Sequence, residues 1–310
     1  MRTPGQGVGF RPPARGSAAV STTLPPEVDL RRYRDAVADL LAELGRVAAH
    51  GDHRRAAALV AARATDPELR AVLRATPDGP DDAVDRLLRE IADYRPNARS
   101  SATDLLAMVR IFLLSRIDVL WWGDVPPYLT DIDVRRAPDL VDLDPLRRRG
   151  LLRFRYRRQA DGLAGRAVRS VGRRLLPDRQ PRTAGLRFAQ ARPAMIALLN
   201  QLADDFAARA PRSADPLWVT SLVRSLQHQL HLRTLGYTAL LPSSHCSGYA
   251  VDVEMAWYRR TGADTALSML LLERQRAGDI NVIDEGQAWH VCVGPAAVGP
   301  LTREYATVAG

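Results

Sequence analysis

The sequence predicts an α+β fold, and three observations carry that prediction. Apolar side chains recur at helical spacing through most of the first 120 residues, whereas short stretches after residue 216 alternate apolar and polar side chains. The two kinds of element then follow one another without the regular strand–helix–strand rhythm of a parallel sheet. An all-α N-terminal domain is therefore expected before a C-terminal domain with a small antiparallel sheet and flanking helices.

Taken in order, residues 1–25 are rich in Pro, Gly, Ser and Arg and read as a disordered tail. From Glu27 onward Val28, Leu30, Tyr33, Val37, Leu40, Leu41, Leu44 and Val47 mark one helical stripe, with Gly51 as its stop. Further helices are expected over 53–76, 80–94 and 101–120, broken by Pro-Asp-Gly and Arg-Pro-Asn turns, so that residues 26–125 form a helical domain. The most apolar stretch, 105–122, holds Arg110, Arg116 and Asp118 and so falls short of a membrane span. Trp121 and Trp122 close it, where core at a domain junction is the expected role.

Residues 126–190 read as an arginine-rich connecting region. The alternation Arg153-Phe154-Arg155-Tyr156-Arg157-Arg158 predicts an edge strand with one aromatic and one cationic face. Residues 164–176 have the pattern of a basic amphipathic helix, and the span from Arg147 to Arg187 offers a surface for anionic polymer or membrane. Beyond Arg192, Ile196, Leu198, Leu199, Leu202 and Phe206 mark a helix. A short strand, 217–220, then leads to Ser221, expected to cap a helix on which Arg224, His228 and His231 share one face. A helix over 264–277 and a hairpin over 280–293 complete the domain.

At 310 residues, two domains is the natural prior. The formal charge of +9 comes from arginine alone, since the chain has no lysine. Arginine in place of lysine beside abundant alanine looks like the mark of a GC-rich coding sequence, so basicity by itself is discounted as a sign of nucleic-acid binding. That reading also explains none of the C-terminal motifs.

Those motifs centre on Ser243 to Asp252, where an imidazole, His245, and a carboxylate, Asp252, lie seven positions apart around Gly248. Strand alternation puts Gly248, Ala250 and Asp252 on one face while Val251 and Val253 point into a core. In Ala-Trp-His-Val-Cys-Val the same rule turns Trp289, Val291 and Val293 one way and His290 the other. Two histidines and an aspartate then meet across neighbouring strands. Three protein ligands with an open fourth position is the arrangement of a catalytic zinc site.

Ser243-x-His245-x-x-Gly248-x-Ala250-x-Asp252 is similar to the SxHxxGxAxD motif of the zinc D-alanyl-D-alanine carboxypeptidases of the VanY and VanX type, relatives of the hedgehog-like metallopeptidases. Ser221-Leu-Val-Arg224-Ser225-Leu-Gln-His-Gln229 resembles their SGYRSxxxQ segment, and Trp289-His290 resembles the end of their Glu-x-Trp-His. The resemblance covers about 191–294 and implies a hedgehog/DD-peptidase-like domain over 191–310. It implies Zn2+ held by His245, Asp252 and His290, with Arg224 contacting substrate and stabilising charge at the scissile carbonyl. Ser221 and Ser243 would orient substrate or ligands, and the substrate would be a peptide such as a peptidoglycan stem peptide.

One departure stands out. Where the family has its general base, this chain has Gln287, whose amide cannot take a proton at neutral pH. Glu285 becomes the default base, with Asp284 beside it. The rival expectation is an impaired zinc-binding homologue that serves as a cell-wall or protein-binding scaffold. Cys246 and Cys292 flank two of the ligands and read as a buried pair, a disulfide or a further ligand. The first ten residues lack the apolar core of a secretory signal, which predicts a cytoplasmic protein, whereas the resemblance implies the cell envelope.

Overall fold

The computed structural model describes residues 24–48, 52–97, 100, 102, 104–159, 181, 184–211 and 214–309. The amphipathic helix expected over 164–176 and nearly all of the expected N-terminal tail lie outside these residues. Within them the fold is α+β and mostly helical.

The chain opens with α1 (Leu30–Ala48), α2 (His53–Arg63), α3 (Pro67–Arg74), α4 (Gly79–Asp93) and α5 (Leu105–Trp122). The single helix expected over 53–76 is two, because Pro67 has no backbone N–H to continue one and instead takes the first turn of α3. Helix α5 is buried nearly all round, as its run of apolar residues requires of a helix inside a protein. No helix among the described residues is long and apolar enough to cross a membrane.

Then follow α6 (Asp131–Arg135), β1 (Val141–Asp142), α7 (Leu143–Arg148), β2 (Arg155–Tyr156), β3 (Gln190–Ala191), α8 (Pro193–Arg209), β4 (Trp218–Ser221) and α9 (Leu226–Thr234). A 3-10 turn at Ser244–Ser247 precedes β5 (Ala250–Glu254), α10 (Ala256–Thr261), α11 (Asp264–Arg276), β6 (Ile280–Asp284), β7 (Ala288–Val293) and α12 (Pro295–Ala309). Strands β1 and β3 pair as a small ribbon, and the main sheet runs β2-β4-β5-β7-β6. Only its β2–β4 edge is parallel. That edge strand behaves as its alternation predicts: Phe154 and Tyr156 are buried while Arg153 and Arg155 face outward. The neighbouring arginines pair with acids, Arg147 and Arg158 with Asp144 and Arg187 with Asp131.

Register places the side chains of the sheet. Cross-strand partners share a face, so Val251, Val253, Trp289, Val291, Val293, Ile280 and Val282 join the apolar core built with α8 and α11. The opposite face carries three rows: Ala250–Cys292–Asn281, Asp252–His290–Ile283, and Glu254–Ala288 with Glu285 beyond the end of β6. Helix α5 covers the first row, and the third opens into a cleft.

That helix also joins the two halves. Most of α5 lies in the N-terminal core, whereas Trp122 at its end belongs to the core of the sheet. There the Trp122 ring stacks on Tyr249 at 3.6 Å and its indole N–H donates to the Val293 carbonyl at 2.9 Å. The tryptophan pair is thus junction core.

Candidate metal centre

Two local devices deliver the candidate ligands. His245 sits on the 3-10 turn, which ends at Gly248 with φ +78°, a left-handed conformation open to glycine without strain. Asp252 and His290 are register partners on β5 and β7. The three side chains are buried and converge: His245 Nε2 lies 3.0 Å from Asp252 Oδ1 and 3.2 Å from His290 Nδ1, and the last two atoms are 3.3 Å apart. Among the described residues this is the one group of three such side chains placed to share a metal ion.

The outer nitrogens are already committed. His245 Nδ1 donates to the Leu222 carbonyl at 2.8 Å, and His290 Nε2 donates to Asp118 Oδ2 at 2.7 Å. With those tautomers the two inner nitrogens and the carboxylate oxygen present lone pairs to one another, a repulsive arrangement that a cation between them satisfies. Bonds of about 2.0–2.1 Å to a tetrahedral ion put neighbouring ligand atoms about 3.3 Å apart, close to what is found. The residues fit a metal ion.

Electrostatics agree. Burial would raise Asp252, but His245 and Arg224 hold its carboxyl well below the usual range. Burial, helped by Arg224, lowers His245 and keeps it neutral. Burial also disfavours charge on His290, yet Asp118 and Asp252 more than reverse this and push it up to about 10. A proton on His290 is therefore the natural competitor of a metal ion, and metal binding must displace it.

Arg224 is placed differently from expectation. It precedes α9, whose cap is Ser225, accepting the His228 N–H at 3.0 Å. Ser221 is instead an acceptor for Arg224, at 2.7 and 2.9 Å, because Ser225 stands at the actual helix start. The guanidinium also donates to Asp252 Oδ2 at 2.6 Å and to Gln229 Oε1 at 3.2 Å. It thus leaves Oδ1 of Asp252 aimed at the centre. His228, the partly buried member of the pair expected on that face, falls to about 4 through burial, with Arg187 and Arg224 adding to the effect.

The centre opens on a cleft of about 1020 Å³ whose lining includes Ser221, Ser243, Arg224, Trp257, Glu285 and Gln287. Glu285 lies on the ligand face of the sheet, opposite Ala288. Gln287 is at the hairpin turn with its side chain exposed, while its carbonyl accepts the N–H groups of Met255 and Ala256. Comparison with protein-family models, curated proteins and solved structures gives no match. The resemblance noted above therefore stands on its motif residues alone.

Cys246 and Cys292 are free and buried, neither bridged nor part of the ligand group, and burial raises both thiols. The sequence reading missed the roles of Asp118, Asn281 and Gln229 and the placement of Glu254, which faces the cleft two residues past Asp252. The available signal for Asp118 is the single carboxylate of a mostly apolar helix that also holds Arg110 and Arg116, since a charge buried there needs a partner.

Proposed function

We propose that the chain is a zinc-dependent peptidase of hedgehog/DD-peptidase-like fold that cuts near the end of a short peptide, such as a peptidoglycan stem peptide. The convergence of His245 Nε2, Asp252 Oδ1 and His290 Nδ1 at the floor of a cleft carries this reading. The pairing of Asp252 with His290 across adjacent antiparallel strands, with His245 on the turn just before β5, supports it. Zinc bound there supplies Lewis acidity and brings the pKa of water toward about 7. Glu285, on the same face and lining the cleft, takes the proton of the attacking water and returns it to the departing amine. Arg224 orients Asp252 and adds positive charge beside the carbonyl under attack. Ser221 fixes Arg224, and Ser243 lines the cleft where the peptide passes.

The second reading is a zinc-binding scaffold without turnover, with the arginine edge turned toward cell-wall polymer. Gln287 favours it, because the residue in the family's base position is an exposed amide. The deciding experiment measures zinc content and hydrolysis of a peptide ending in D-Ala-D-Ala, with wild type beside His245→Ala. Stoichiometric zinc and zinc-dependent cleavage, both lost in the variant, are expected. Zinc without cleavage selects the scaffold, and unchanged zinc in the variant removes the ligand assignment.

A further inference from the structure

We infer that Asp118 of α5 is a positioning residue of the metal centre, so that the N-terminal helices set how tightly the C-terminal ligands hold a metal ion. The inference rests on the ligand assignment of His245, Asp252 and His290 and extends it to a helix that contributes no ligand.

Asp118 is 2% exposed, and the neighbouring Ile117 and Val119 are packed as core. An apolar side chain would serve packing better at this position, and a buried carboxylate is destabilising unless its oxygens are occupied. They are. Oδ2 accepts from His290 Nε2 at 2.7 Å and from Ser244 Oγ at 2.9 Å, and Oδ1 accepts from Asn281 Nδ2 at 2.9 Å. Asn281 is held in turn by Arg34 of α1, which donates to its Oδ1 at 3.1 Å, and by its own donation to the Leu114 carbonyl of α5 at 3.1 Å.

The geometry gives Asp118 two tasks. Its bond to Nε2 fixes the tautomer and rotation of His290, so that Nδ1 faces the centre, and its charge makes that nitrogen a better donor to a metal ion. The same oxygen holds the Ser244 hydroxyl, the residue immediately before His245, and so steadies the turn that presents a second ligand. Asn281 and Arg34 keep the carboxylate from turning away. Removing a partner of this kind weakens metal binding typically by about 10- to 100-fold.

The test uses the full chain with Asp118→Asn and, as a control, Val109→Ala, a buried truncation elsewhere on α5. Three readouts are taken: zinc affinity by competition with a chromophoric chelator, the visible bands of the Co2+-loaded protein, and urea unfolding in EDTA. The expected result is zinc affinity about 10- to 100-fold weaker and displaced Co2+ bands in Asp118→Asn. Val109→Ala should lose stability and keep both affinity and spectrum. Equal affinity and unshifted bands in Asp118→Asn overturn the inference while leaving the ligand assignment intact, as does matching zinc loss in Val109→Ala. If Asp118→Asn does not fold, Ser244→Ala must still weaken zinc several-fold, and unchanged affinity there overturns the inference. A wild type that binds no zinc overturns the ligand assignment as well.

Discussion

Strands β5 and β7 show two different chemistries on their two faces. On one, Val251, Val253, Trp289, Val291 and Val293 press into the core formed with α8 and α11. On the other, the alternate residues Asp252, Glu254, Ala288 and His290 form the bed of the candidate metal centre and the near wall of the cleft. The apolar face is held by contacts that have no direction, so a similar volume in a similar place serves. The polar face instead brings His245 Nε2, Asp252 Oδ1 and His290 Nδ1 to a common point, so the direction of each donor atom matters as well as its volume. The same backbone register therefore supports one surface that depends on volume and one that depends on the direction of its donor atoms.

Substitutions on the two faces should separate stability from chemistry. The largest effect is expected for Glu285→Gln, which keeps the shape of the cleft wall and removes the proposed proton acceptor. Turnover should fall by about 10²- to 10⁴-fold with zinc retained, and undiminished hydrolysis would move the base elsewhere. On the apolar face Val291→Ala removes two methyl groups from a fully buried position. It should destabilise folding by about 2 kcal/mol in a urea titration while the folded protein keeps its zinc; loss of metal without loss of stability would contradict the division of labour.

The smallest effect belongs to His228 in the cleft. Its pKa of about 4 in the folded chain lies below the 6.5 of an unperturbed imidazole. The unfolded chain therefore binds a proton that the folded chain refuses, and stability is lost as pH falls from 6.5 toward 4. His228→Gln should flatten that limb, recovering about 1 kcal/mol between pH 7 and 5 after allowance for partial exposure. Parallel curves for variant and wild type would show that His228 titrates normally.

The apolar face was the more legible in the sequence, because a period of two is written in neighbouring residues. The same alternation oriented Asp252 and His290, and the position of His245 followed from the motif around Gly248. Proline at 67 was equally local, yet helical spacing on both sides concealed the break it makes. Asp118 was a different kind of problem. Its partner His290 lies 172 residues further on, and nothing near Asp118 announces the contact beyond the oddity of its charge. The capacity of Ser221 to cap a helix puts Arg224 on one in the sequence, but Ser225, four residues later, caps it instead.

The dual membership of α5 has a consequence for biosynthesis. The helix emerges from the ribosome with its carboxylate long before β7 is made, so a nascent or truncated chain that has α5 but lacks β7 carries His245 and Asp252 at most, and an Asp118 without its imidazole. Such a chain lacks one of the three candidate ligands and has a charge to bury without its main partner. On the proposed ligand set, capture of a metal would report that the last strand of the sheet has been added and docked.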